Sequence, residues 1–173
     1  MQIDTATFYL KTFDKYTEEF ATTFSSFGKK VFNTPIAEGK WSPGQYVEHM
    51  ILAETGTTKL INKTGVIEEG RAPDALCAKL EKAVLDIDHS AIAHAAISPE
   101  HQEYNRGDLL DLFIDTRAEL RIAFDFSDDI AEVTDWVHPI FGKLTKCEWL
   151  YFSGLHGERH RRQVENAIQE EED

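Results

Sequence analysis

The sequence TKCEWLYFSGLHGERH, residues 145–160, defines the start and the inward face of the last helix. Thr145 and Glu148 have the spacing of a capping box, in which each side chain accepts a hydrogen bond from the other residue's backbone N–H. The residues that follow at spacings of three and four, the pattern of one helix face, are Trp149, Phe152, His156, His160 and Val164. We therefore predict a helix from Thr145 towards Ile168, with two histidines on its apolar face.

His156 and His160 lie one helical turn apart. Two imidazoles at this spacing can bind one metal ion. The pair alone has little specificity, because this helix lacks the glutamate that accompanies such pairs in zinc proteases. A metal site therefore needs a third ligand from elsewhere in the chain.

The composition is that of a folded, acidic protein. The chain has 173 residues, of which 42% are apolar and 11% aromatic, enough for a hydrophobic core. Its formal net charge is −13, partly from an acidic tail at residues 169–173. Nucleic acid and anionic membranes are bound largely through positive charge, so neither is an expected partner. We expect residues 1–173 to form a single domain.

The chain carries no recognisable signal for export or membrane insertion. No apolar run is long enough to cross a bilayer, and the first residues lack the basic and apolar parts of a signal peptide. Cys77 and Cys147 do not make a disulfide framework. These features predict a cytoplasmic protein. Cys147 is interpreted as a small apolar residue, since its neighbours provide no paired base.

Four long amphipathic segments account for most of the chain. The first covers residues 4–31, where aromatic side chains recur at helical spacing. The second begins at Ser42, with Pro43 at the first helical position and Gln45 completing a capping box. The third begins with Asp108 as its N-cap. Together with the last helix, these segments predict an all-α four-helix bundle of up-and-down character.

Long connections follow the second and third long helices. Residues 66–107 include a shorter helical pattern at 73–88 and three histidines without a ligand spacing, interpreted as surface residues: His89, His94 and His101. In the second connection, residues 127–143, the stretch 133–137 could be extended, but no strand alternation is persuasive. The two connections are expected to cover one end of the bundle and to contribute to a substrate pocket.

His49 supplies a third inward-facing imidazole. It lies on the same stripe of the second long helix as Met50 and Ala53. A single buried histidine is usually a core residue that is hydrogen-bonded to a neighbour. Three on two helices are harder to explain in this way, because each neutral imidazole would need its own polar partner. The spacing alone leaves a metal site and three core histidines as open alternatives.

Three motifs together resemble the DinB-like, or YfiT-like, family of metalloenzymes. They are W-S-P-x-Q-x-x-x-H at 41–49, H-P-x-F-G-x-L-T at 138–145 and H-x-x-x-H-x-x-Q at 156–163, in order over nearly the whole chain. The resemblance implies a four-helix bundle that binds a divalent metal through three histidines. In this sequence the positions that match are His49, His156 and His160. Imidazole ligands suit several transition metals, with Zn or Ni favoured here.

Three protein ligands leave a coordination position open, as in catalytic metal sites. The resemblance implies transfer of a low-molecular-weight thiol to a small-molecule substrate, and hydrolysis is a second reaction that such a site permits. An alternative is a non-catalytic metal- or ligand-binding stress-response module. A third hypothesis is a structural or homodimeric helical protein whose histidines belong to the core, with Tyr9 or Tyr151 exposed on the dimer face.

Several charged residues near these motifs are interpreted as structural, and no general base is assigned. Glu48 and Glu54 border the stripe that contains His49. Glu158 is two residues from each of the later histidines and should point away from them. Arg117 and Glu119 are predicted on the solvated side of the third long helix.

Three further motif residues are not predicted ligands. Trp41 is expected to pack under a loop. His138 precedes a proline in a loop and is interpreted as structural or surface-exposed. Gln163 lies one turn beyond His160 and is interpreted as a polar flank residue, although it could orient that imidazole.

Overall fold

The computed structural model describes residues 4–87 and 94–172, so the predicted surface residue His89 lies outside the described residues. The helices are α1 (Thr5–Ser26), α2 (Lys29–Phe32), α3 (Pro43–Ile61), α4 (Cys77–Val84), α5 (Arg106–Asp125) and α6 (Lys146–Glu172). The strands are β1 (Val66–Ile67), β2 (Glu132–His138) and β3 (Gly142–Thr145), and one 3-10 turn covers Ala95–Ile97. In these described ranges no helix is long and apolar enough to cross a bilayer.

Two predicted helix starts are confirmed by their capping hydrogen bonds. At α3 the Ser42 hydroxyl accepts from the Gln45 N–H at 3.2 Å, and the Gln45 side chain accepts from the Ser42 N–H at 3.0 Å. At α6 the Thr145 N–H donates to Glu148 Oε2 at 2.9 Å, and the Glu148 N–H donates to Thr145 Oγ1 at 3.0 Å. Both boxes satisfy backbone donors that a helix N-terminus leaves unpaired.

Two other helix boundaries differ from the prediction. Asn105, not Asp108, caps α5, and its side-chain oxygen accepts from two backbone N–H groups of the first turn at 3.0 and 3.5 Å. Asparagine and aspartate cap helices about equally well, so residue type alone does not distinguish Asn105 from Asp108. The first helix ends at Ser26 instead of near residue 31, because Phe27 is extended with a ψ of 135°.

The four long helices form a bundle. Helix α1 packs mainly against α6, and α3 packs mainly against α5; contacts of α3 with α6 and of α1 with α5 complete it. Among the described residues, α1 and α3 make at most marginal contact. The first two long helices therefore lie on a diagonal, which departs from the sequential order of a simple up-and-down bundle.

The fold also contains a three-stranded antiparallel sheet in the order β1-β2-β3, so the all-α prediction is wrong in this respect. Val66 of β1 lies opposite Val133 of β2, and His138 lies opposite Gly142 of β3. Gly142 has a φ of 77°, a left-handed conformation that glycine adopts without steric cost. Only the stretch 133–137 was recognisable from the sequence, because a two-residue strand such as β1 shows no alternation of its own.

A buried ion pair at the centre of the bundle contradicts two predictions. Arg117 and Glu54, predicted at the solvated side of α5 and at the flank of α3, are each 1% exposed, whereas Glu119 is exposed as predicted. The Arg117 guanidinium donates to both Glu54 oxygens and to the Ser153 carbonyl. It has room because residue 157 of α6 is glycine: a Cβ on Gly157 would lie 2.5 Å from Arg117 Nη2.

Burial also decides the roles of two tyrosines and two cysteines. Tyr9 and Tyr151 pack on each other with ring centroids 4.7 Å apart and are buried, so neither provides the exposed dimer face suggested above. Cys77 and Cys147 are both buried free thiols. The neighbouring Cys77 thiol and burial both raise the pKa of Cys147, in agreement with its interpretation as an unreactive small residue.

Candidate metal centre

His49 projects from the second turn of α3 into the bundle, where it is 2% exposed. Its Nδ1 lies 2.7 Å from the backbone carbonyl oxygen of Ile97, the last residue of the 3-10 turn. A carbonyl only accepts hydrogen bonds, so Nδ1 carries the proton of the neutral ring. The lone pair is therefore on Nε2, which faces helix α6.

His156 and His160 approach from α6, one turn apart as the spacing predicts. His156 Nε2 lies 3.2 Å from His49 Nε2 and 2.9 Å from His160 Nε2. The three ligand atoms all lie within 4.8 Å of one another. Three nitrogens at Zn–N distances of ~2.0–2.1 Å in tetrahedral geometry would be about 3.3 Å apart, so the cluster fits one divalent ion with small adjustments.

The proton count of the cluster favours a cation. His160 Nδ1 lies 2.8 Å from Gln163 Oε1, to which its N–H donates, so the His160 lone pair is also on Nε2. His156 Nε2 lies between two such lone pairs and has at most one proton to donate. At least one pair of ring nitrogens therefore faces each other without a hydrogen atom between them. A cation at the centre satisfies all three.

The surroundings keep the three imidazoles neutral. Burial lowers the pKa of His49 and of His156, and the nearby His160 and His49 rings, which would repel a second proton charge, lower the pKa of His156 further. Burial also lowers the pKa of His160 to about 3. Neutral imidazole is the form that binds metals, so the site needs no deprotonation near pH 7.

The three candidate ligands differ in burial. His49 and His160 are buried, but His156 is partly exposed. Among residues 4–87 and 94–169, whose side chains are described, no fourth histidine, cysteine or carboxylate joins the three. Three protein ligands are typical of catalytic metal sites, whereas structural zinc sites are closed by four.

Aromatic rings surround the cluster. The Trp41 ring centroid lies 5.0 Å from that of His49, so this tryptophan contacts a candidate ligand in addition to packing near its loop. Tyr46 lies 4.9 Å from His160, and Phe152 stacks on His156 at 5.4 Å with an interplanar angle of 25°. Such a shell lowers the local dielectric constant and fixes the ring orientations.

A comparison with known families assigns the chain. The sequence profile of the DinB superfamily matches residues 12–164, most of its length. The chain belongs to the DinB superfamily. Among solved structures, this DinB-superfamily chain is similar to TT2238, a four-helix bundle protein, with a TM-score of 0.59 and 18% identity over 91% of this chain and 96% of that one. At that identity the likeness shows the fold alone. A comparison with curated proteins gives no match.

The carboxylates near the site of this DinB-superfamily chain are all engaged. Glu48 accepts hydrogen bonds from residues 100–104, and Glu54 pairs with Arg117. Glu158 points away from the histidines, as predicted, and pairs with Arg161 and Arg162. In the part of the chain that the structure describes, none of the three is placed as a general base.

Two other predictions concern motif side chains. Gln163 was interpreted as a polar flank residue, but its hydrogen bond to His160 makes it an orienting partner of that ring. The sequence left this alternative open, because an i,i+3 spacing permits either role. His138 is structural, as predicted: its Nδ1 accepts from the N–H groups of Ile140 and Phe141 at 3.1 and 3.3 Å. Burial lowers the pKa of His138 to about 4.

The two described histidines of the first connection are exposed, as predicted. His94 caps the 3-10 turn through a hydrogen bond from the Ala96 N–H at 3.2 Å, and His101 Nδ1 lies 2.6 Å from Glu48 Oε1. Sequence reasoning missed the Ile97 carbonyl that orients His49. No residue type signals this role, because every residue carries a backbone carbonyl.

Proposed function

We propose that the protein binds one divalent cation, Zn or Ni in first place, through the Nε2 atoms of His49, His156 and His160. The observation that carries the proposal is the convergence of three neutral imidazoles with no fourth ligand among the described side chains. We further propose an enzyme that transfers a low-molecular-weight thiol to a small electrophile. Hydrolysis of a small molecule is the alternative reaction at the same site.

The protein's own contribution is orientation and exclusion of water. When bound, the cation would lower the pKa of a thiol or water and polarise an acceptor group. The Ile97 carbonyl and Gln163 fix the two buried imidazoles, so their lone pairs need no reorganisation. Trp41 packs beside the His49 ring and Phe152 beside the His156 ring, and both exclude water from those faces. A proton given up by a bound thiol or water would pass to solvent, since none of the described carboxylates near the site is placed to accept it.

Elemental analysis of purified protein tests the cation site. We expect about one divalent ion per chain in the wild type, and strong loss of that ion in His49→Ala and His160→Ala. His138→Ala is the matched control, since it removes a half-buried imidazole outside the cluster. Metal content that is equal in all four proteins would refute the ligand assignment.

Turnover is tested with the metal-loaded protein, a small thiol and chlorodinitrobenzene as the electrophile. The expected result is metal-dependent consumption of thiol that is lost in His160→Ala and retained in His138→Ala. Release of product without consumption of thiol would instead indicate hydrolysis.

A second candidate is a metal- or ligand-binding module without turnover. It is favoured by the absence of a free general base among the described carboxylates near the site. It predicts one bound ion and a ligand-dependent rise in melting temperature, but no reaction with thiols or esters.

A further inference from the structure

Residues 97–104, called the strap here, start at the last residue of the 3-10 turn and lie along the N-terminal half of α3. The strap begins with the carbonyl of Ile97, which accepts the hydrogen bond from His49 Nδ1 at 2.7 Å. Apart from the residue that ends the 3-10 turn, the strap has no helix or strand of its own. Its position therefore depends on the contacts that attach it to the bundle, which are hydrogen bonds and, at its end, the packing of Tyr104 in the hydrophobic core.

Glu48 makes more of those attachments than any other residue. Its Oε2 accepts from the backbone N–H groups of Glu100 and His101, at 3.0 and 3.3 Å, and from the Tyr104 hydroxyl at 2.6 Å. Its Oε1 lies 2.6 Å from His101 Nδ1. One carboxylate thus accepts from donors on three residues of the strap. Hydrogen bonds to a charged acceptor are stronger than those between neutral groups.

Two other side chains attach the strap at His101 and Tyr104. Gln45 Nε2 donates to the His101 carbonyl at 3.2 Å. Asn33 exchanges two hydrogen bonds with the backbone of Tyr104, at 2.8 and 3.2 Å. Glu48 is the anchor whose contacts come nearest to Ile97 along the chain. Because Glu48 directly precedes His49 on α3, it fixes the strap to the same turn of helix that presents the ligand.

We propose that Glu48 is a positioning residue for the metal site: by holding the strap on α3, it keeps the Ile97 carbonyl against His49 Nδ1 and so keeps His49 Nε2 aimed at the ion. The proposal rests on the proposed function for its effect on metal binding. The part of the proposal that concerns the orientation of the His49 ring does not depend on metal binding. Partners that orient a ligand histidine from behind typically change metal affinity about 10–100-fold when they are lost.

The test compares Glu48→Ala with Glu100→Ala, which removes an exposed carboxylate from the strap itself. Tyr104→Phe is a milder variant that removes one of the donors to Glu48 and leaves α3 unchanged. In metal-free protein, ¹⁵N NMR of the His49 ring reports the Nδ1–H tautomer, and hydrogen exchange reports the amides of Glu100 and His101. Metal affinity is measured by competition with a chromogenic chelator.

We expect Glu48→Ala to lose amide protection, to populate both His49 tautomers, and to bind metal about 10–100-fold more weakly. Tyr104→Phe should show a smaller loss, and Glu100→Ala should match the wild type. A His49 tautomer unchanged in Glu48→Ala, or equal metal affinities of the two alanine variants, would overturn the proposal. A wild type without metal affinity would refute the proposed function, while the tautomer comparison would still decide whether Glu48 positions His49.

Discussion

Replacement of Arg117 by methionine should be among the most destabilising changes in this protein. The guanidinium makes three contacts of 2.7–3.1 Å with the Glu54 carboxylate. It also donates to Thr17 Oγ1 at 3.0 Å and lies 4.8 Å from the ring centroids of Phe13 and Phe113. Methionine fills part of the volume but leaves a carboxylate in the bundle core without its partner.

The expected loss in the free energy of unfolding follows from the burial of both side chains. Both side chains are 1% exposed, so water cannot replace the lost partner. Breaking a buried ion pair by removing one member costs about 3–5 kcal/mol, because an uncompensated charge remains. The matched control is Arg121→Met, at the exposed Arg121–Asp14 pair of the same helix, which should cost less than about 1 kcal/mol.

The loss of stability caused by Arg117→Met should depend on pH. Burial raises the pKa of Glu54, and Arg117 opposes that rise, so its removal raises the pKa further. A carboxyl group with a raised folded-state pKa destabilises the protein as pH rises above its unfolded-state pKa. Relative to the wild type, whose Glu54 pKa is already raised, the loss of stability should therefore grow by up to about 1.4 kcal/mol per pH unit between the folded-state pKa of Glu54 in the wild type and the higher one in the variant.

Urea unfolding in the presence of EDTA, at pH 5 and pH 8, measures these differences. We expect Arg117→Met to lose more stability at pH 8 than at pH 5. The double variant Glu54→Leu with Arg117→Met should recover at least half of the loss, since it removes the stranded charge. The reasoning would be refuted by a loss no larger than that of Arg121→Met, or by a double variant as unstable as the single one.

Three other predictions concern the site and its supports. Gln163→Leu should weaken metal binding about 10–100-fold, measured by chelator competition, because the His160 ring loses its orienting partner. The metal-free protein should lose free energy of unfolding, measured in urea, as pH falls from about 6.5 towards the His160 pKa of about 3. The reason is that His160 takes up a proton in the unfolded chain at a higher pH than in the folded one. His160→Gln should therefore make the pH dependence shallower. Gly157→Ala should cost about 1–3 kcal/mol, because its Cβ would lie 2.5 Å from Arg117, whereas Gly56→Ala, with no atom within 4 Å, should be neutral or stabilising; thermal unfolding that ranks the two variants in the opposite order would contradict the packing argument.

The features that the sequence predicted correctly are those encoded within one or two helical turns. The capping boxes at Ser42 and Thr145 depend on side chains three residues from the backbone groups that they satisfy. The same short range places His156 and His160 on one face of α6. The inward orientation of His49 could be predicted from its position on the apolar stripe of α3 alone, because that stripe has to face the rest of the bundle.

Local sequence patterns were thus sufficient to predict four long helices, two of their starts and three histidines on inward faces. The tertiary structure alone decided the partners of those residues. The pairing of β1 with β2, the burial of Arg117 against Glu54, and the hydrogen bond from His49 to the Ile97 carbonyl all join segments far apart in the chain. Helix periodicity and capping report which face a residue presents. Which residue of another segment contacts that face depends on how distant segments pack, and the spacing of residues within one helix does not determine this.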